Sequence, residues 1–186
     1  MRLFVAIEIP GEIRRALGAF IQELCAMAPQ VKWVRAENLH VTLKFLGHTD
    51  DAKLPPVERV LGTVRSAAPV TLNFRGLGFF PNEKRPRVFW AGMEASGNLK
   101  TIASDIDHAV HRLGFPLEER PFSPHLTLAR FDPPGIHAKL GAAITANRSR
   151  EFGSTTTREF HLIQSNLKPS GAEYTTLHSF PFAAET

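Results

Sequence analysis

Two short strings in this chain pair an imidazole with a hydroxyl: His40-Val41-Thr42-Leu43 and His125-Leu126-Thr127-Leu128. Side chains of an extended strand alternate between its two faces. Each histidine therefore shares a face with its threonine, while the apolar partners turn the other way and can anchor the strand in a core. An imidazole, with an ordinary pKa of about 6.5, gives or takes a proton near neutrality. A threonine hydroxyl donates to an anionic oxygen from a stiff, β-branched side chain. Two such pairs facing one another suit phosphodiester chemistry without a metal. One histidine takes a proton from attacking water, the other returns one to the departing oxygen, and the threonines hold the non-bridging oxygens. The residues alone do not decide which histidine plays which part.

Chance supplies only about 0.24 His-x-Thr-apolar strings in a chain of this composition. Two occurrences, each with an arginine five residues upstream (Arg35 and Arg120), point to a repeated unit. The echo is read as two related lobes in one catalytic domain spanning 1–186, each offering the same strand to a shared cleft. The other six histidines lack such a pattern, and His108 and His111 are expected on the surface of a helix.

Flanking residues are candidates for holding substrate. Lys44 has the parity of His40 and is expected to meet a phosphate, with a solvated lysine as the plain alternative. Arg130 breaks parity with His125, but a strand end can redirect it toward a phosphate or the RNA backbone; an ion pair is the other reading. Phe45, Phe122 and Phe131 are of a type that stacks a base, though phenylalanine more often fills a core. Trp33 and Trp90 are assigned to packing. No His-Glu-x-x-His string occurs and Cys25 is the only cysteine, so neither metal nor cofactor is expected.

The elements that must position these groups follow from periodicity. Met1 to Glu8 reads as a strand buried on both faces, not as a secretory signal. Ile13, Ala16, Leu17, Phe20, Ile21 and Leu24 form a helical stripe. Extended segments are expected at 31–34, 40–46, 70–74, 87–91, 125–129, 159–165 and 174–180, with a Gly- and Pro-rich loop over 76–86. Further helices are expected from Pro55 or Pro56, over 98–113, and around Ile136 to Ile144. The mixture indicates an α/β or α+β chain.

Composition sets the outer bounds. The 186 residues, 43% hydrophobic and 22% charged, fit one globular unit and exclude a disordered or fibrous chain. The single cysteine excludes an internal disulfide framework and fits a reducing compartment, and no apolar run reaches the length of a membrane span, so a cytoplasmic address is expected. The formal charge of +4 suits a polyanionic partner without requiring one.

The motifs resemble the two His-x-Thr-x signatures of the two-histidine phosphoesterase superfamily. Arg2 to Ile7, Phe45-Leu46-Gly47, Ser123-Pro124 and the segment 165–174 narrow the resemblance to RNA 2',3'-cyclic phosphodiesterases, also called 2'-5' RNA ligases. The resemblance implies a bilobal α+β fold, two antiparallel sheets flanked by helices around a central cleft. It implies metal-free hydrolysis of 2',3'-cyclic phosphate ends of RNA to 2'-phosphomonoesters. Carried over, His40 is the proton donor to the leaving 3'-oxygen, His125 the proton acceptor from water, and Thr42 and Thr127 the phosphate-holding pair. Three other readings stand beside it: 2'-5' ligation at the same site, hydrolysis of a small nucleotide cyclic phosphate, and a non-catalytic module that grips RNA ends. Neither a membrane nor an obligate protein partner is expected.

Overall fold

In a computed structural model that describes residues 1–169 and 171–183, nine strands and four helices build two antiparallel sheets. Ser170, inside the segment that carries part of the resemblance, lies outside the described residues. The first sheet runs β3 (His40–His48), β1 (Arg2–Glu8), β8 (Glu159–Lys168), β9 (Gly171–Pro181). The second runs β2 (Lys32–Trp33), β6 (His125–Arg130), β5 (Val88–Ala95), β4 (Val70–Phe80), β7 (Glu151–Thr157). The expected α+β architecture of two antiparallel sheets with flanking helices is the one observed.

Each element forms for a local reason. In β1, Leu3, Val5 and Ile7 enter the main core, while Phe4 and Ala6 face the other way into a small cluster with Ile163 and Tyr174. Helix α1 (Gly11–Met27) buries the stripe Ile13, Leu17, Phe20, Ile21 and Leu24, and Phe20 lies 5.5 Å from Phe152 of β7. Each fully buried side chain of this kind contributes roughly 1.5–3 kcal/mol. Helices α2 (Leu54–Leu61) and α3 (Asn98–His111) pack together, and α3 lies against β3, while α4 (Ala138–Ala146) joins α1. Helix α1 thus packs on the second sheet through β7 and α3 on the first through β3, and each sheet draws strands from both halves of the chain. One apolar core runs through both.

Beyond strand ends that shift by a few residues, such as β5 reaching Ala95 and β9 starting at Gly171, three elements differ from expectation. Strand β7 was not anticipated, because only Phe152 of Glu151–Thr157 is buried and no apolar alternation marks it. Strand β4 continues to Phe80 through what reads as a glycine-rich loop. Glycine inside a strand marks a bulge or a close approach. Gly76, with φ +81°, sits at a break in the ladder, and a Cβ on Gly78 would lie 2.2 Å from the Trp90 ring. The third helix ends at His111, two residues before the expected Leu113.

Candidate active site

His40 opens β3 and His125 opens β6, and the two strands come together where the sheets meet. Their rings are held alike. Nδ1 of His40 donates to the carbonyl of Asn38 and Nδ1 of His125 to that of Ser123, both at 2.7 Å. A carbonyl only accepts, so each Nδ1 carries the proton and each Nε2 is left to exchange one. Each ring also leans on aromatics. His40 lies 4.6 Å from Phe4 and 5.3 Å from Tyr174. Phe80 meets His125 edge-on at 5.0 Å and lies 5.3 Å from Trp90, whose indole rests over Gly78.

Burial pushes the pKa of His40 below 6.5, the Asn38 carbonyl opposes that shift, the charge of His125 adds to it, and Glu8, its cross-strand neighbour, opposes it. Burial raises the pKa of the Tyr174 hydroxyl, while the charges of Arg130 and Arg2 oppose that shift.

Both motif strands break the simple alternation at the same step. Thr42 and Lys44 pair with consecutive residues Ala6 and Val5, leaving Leu43 as the extra residue of a bulge. Thr127 and Ala129 pair with Trp90 and Phe89, which makes Leu128 the extra one. The burial sequence from His40 to Phe45 therefore repeats from His125 to Arg130. A bulge reverses which face the following side chains take.

The consequence corrects one expectation. Lys44 turns behind the sheet, where its ammonium meets Asp107 at 2.6 Å, Glu118 at 3.1 Å and the Pro116 carbonyl at 2.7 Å. With its side chain only 2% exposed, it is a buried structural cation and does not reach the cleft. Phe45 and Arg130, past the bulges, fall instead on the strand faces that carry His40 and His125. Phe45 is 62% exposed and lies 6.2 Å from Phe4. Phe131 belongs to the core, Phe122 packs against it, and Trp33 meets Phe89 edge-on. Trp90 also packs, but on the cleft face beside Thr127, with its indole nitrogen buried and unpartnered.

Sequence reasoning passed over Phe4, Phe80 and Tyr174 as neighbours of the histidines. Strand parity from Ala6 and Thr42 carried a signal for Phe4 alone. Asn38 also escaped notice: its amide donates to the Ala172 carbonyl at 2.7 Å, tying the β8–β9 hairpin to the residue that orients His40. Among the described residues, no three His, Cys, Asp or Glu side chains gather to hold a metal, and no helix is long and apolar enough to cross a membrane.

The sequence model of the LigT-like phosphoesterase family matches twice, over residues 7–90 and 93–174, each match holding one motif. The chain belongs to that family. An Archaeoglobus fulgidus protein named RNA 2',3'-cyclic phosphodiesterase is 36% identical over 97% of this chain and 99% of its own length. A Thermus thermophilus protein of the same name is 36% identical over 100% and 92%. Among solved LigT-like structures, TT0787 of Thermus thermophilus superposes with a TM-score of 0.81 at 33% identity, covering 98% of both chains. LigT of E. coli complexed with NADP+ gives 0.76 at 28% identity over 97% and 96%. Members of this family are phosphoesterases, and the fold of this chain is theirs.

Proposed function

We propose that this protein hydrolyses the 2',3'-cyclic phosphate at an RNA end to a 2'-phosphomonoester, without a metal ion. Nε2 of His125 takes a proton from water as its oxygen attacks phosphorus. The P–O3' bond breaks, and Nε2–H of His40 delivers its proton to the leaving 3'-oxygen, giving a free 3'-hydroxyl. Thr42 and Thr127, on the same faces as the two rings, donate to the non-bridging oxygens as charge builds there. Arg130 and Phe45 hold the nucleotide beyond the phosphate.

The observation that carries this reading is the matched pair of carbonyl-anchored imidazoles, each with Nε2 free and one acting electrostatically on the other. A pKa lowered by burial makes the imidazolium of His40 a stronger acid than a free one, which supports the donor role. Relatives named RNA 2',3'-cyclic phosphodiesterase supply the substrate class.

Incubation with a nucleoside 2',3'-cyclic phosphate and with an RNA bearing that end tests the proposal, with products identified by phosphorus NMR. Only the 2'-phosphate should form, at a rate unchanged by EDTA. A 3'-phosphate product, loss of turnover in chelator, or binding without turnover would each overturn it.

A further inference from the structure

The turn between β4 and β5 lies beside the site and carries charge that the protein itself does not neutralise. Lys84, Arg85 and Arg87 are all exposed. Glu83, the one acid between Phe80 and Val88, is taken up by Arg148. Other exposed cations, Arg59, Lys100 and Arg120 among them, also lack a carboxylate partner among the described residues, but the turn gathers three within four positions beside the site. Lys84, Arg85, Arg87 and Arg130 face none within 4.0 Å among the described residues.

The turn's backbone is fixed. The amides of Lys84 and Arg85 donate to Asn82 Oδ1 at 3.0 and 3.1 Å. The Arg87 amide donates to the Phe80 carbonyl at 2.8 Å, and the carbonyls of Arg87 and Pro86 accept from Phe131 and Gly135. Three long cationic side chains thus project from a rigid base. That arrangement suits phosphates whose spacing is regular and whose bases vary, since phosphate contacts position a strand without reading it.

The turn is also continuous with the site. Phe80, at its root, touches the His125 ring, and Val88, at its other root, pairs with Arg130. From Thr127, opposite Trp90, to Arg130, opposite Val88, is two rows of the ladder, about 7 Å. The three turn cations follow directly beyond. One phosphate at the histidines needs no such row of charge; a polynucleotide does.

We propose that the Asn82–Arg87 turn binds the backbone phosphates of the RNA strand leading into the cleft, upstream of the reacting end, through Lys84, Arg85 and Arg87, so that the enzyme favours an oligonucleotide over a mononucleotide. This rests on the proposed function above and adds its substrate length. The triple variant Lys84→Ala, Arg85→Ala, Arg87→Ala tests it against two substrates, cytidine 2',3'-cyclic phosphate and an RNA of about ten nucleotides with the same end.

For the RNA, KM should rise roughly tenfold with kcat unchanged. Each phosphate contact on a single strand contributes about 0.7 to the slope of log affinity against log salt, so the salt slope of kcat/KM should fall by about 2. For the mononucleotide, kcat/KM should not move, which also shows the variant to be folded. Unchanged RNA kinetics or equal losses on both substrates would overturn the inference while leaving the hydrolysis intact, whereas a wild type that turns over only the mononucleotide would overturn the inference and the RNA-end reading together. A wild type that cleaves neither substrate removes the proposed function and this inference with it.

Discussion

The Lys44 ammonium stands 2.6 Å from the Asp107 carboxylate, on the side of β3 opposite to His40. Burial pushes the Asp107 carboxyl up, but the Lys44 ammonium and the Glu118 amide outweigh it and leave its pKa below the usual carboxylate value. Removing one partner of a buried pair leaves the other charge stranded, at about 3 kcal/mol. Lys44→Met should therefore lower unfolding free energy by about that amount in urea titration, with kcat and KM close to wild type below the transition. Restoration of stability in the double variant with Asp107→Leu would trace the loss to the stranded carboxylate. A folded Lys44→Met enzyme with a greatly raised KM would return the lysine to the substrate.

His40→Ala and His125→Ala should each lower kcat by at least about two decades, and the double variant should lose little more than the worse single one, because the two rings act as a unit. Circular dichroism should be unaltered, since neither ring lies in the main core. Single-turnover kinetics on a nucleoside cyclic phosphate makes the measurement; full turnover in either variant takes that residue out of the chemistry.

The pH dependence follows from burial of His40. Its folded-state pKa lies below 6.5, so the unfolded chain binds the extra proton first. The stability associated with neutral His40 is present above about 6.5, and it drains away as pH falls through the folded-state pKa. Activity runs the opposite way, because a proton donor must be charged: the alkaline limb of kcat/KM should have its midpoint below 6.5 in the free enzyme. The Glu8 carboxylate holds that pKa up, so Glu8→Gln should move the midpoint lower still and reduce the rate at pH 7.5 roughly two- to fivefold. Proton NMR titration of His40 alongside the rate profile gives the comparison, and a midpoint insensitive to Glu8→Gln would reassign the limb.

Gly78 leaves room for the Trp90 indole, on which Phe80 and then His125 depend. A methyl group there must displace the ring, and overpacking of this sort costs about 1–3 kcal/mol. Gly78→Ala should lose stability in that range and, in addition, about tenfold in kcat with KM nearly constant. Trp90→Phe in the same background should recover part of the kcat by vacating the space. Loss of stability alone, with kcat intact, would mean that the stack supports the sheet without steering the ring.

The two histidines and their threonines were legible because a strand's period of two survives from the first to the third residue of each motif. It does not survive to the fifth and sixth. The bulges at Leu43 and Leu128 depend on pairing with β1 and β5, which no local pattern in either motif encodes, and so Lys44 and Arg130 exchanged the faces that parity gave them. Helices α1 and α3 were readable from their apolar stripes. Strand β7 was not, since it is recruited by hydrogen bonds to β4 and by one phenylalanine. Gly78 read as a loop residue, and its meaning emerged only beside Trp90.

The first sheet is closed by the late hairpin β8–β9, which brings Tyr174 to His40 and is clasped to Asn38 through Ala172. With both motif strands in place, the His40 ring still lacks one of its walls until this hairpin pairs with β1. The ring of His40 is thus walled by residues more than 130 positions away in sequence, and any loosening of this hairpin is felt first at that ring.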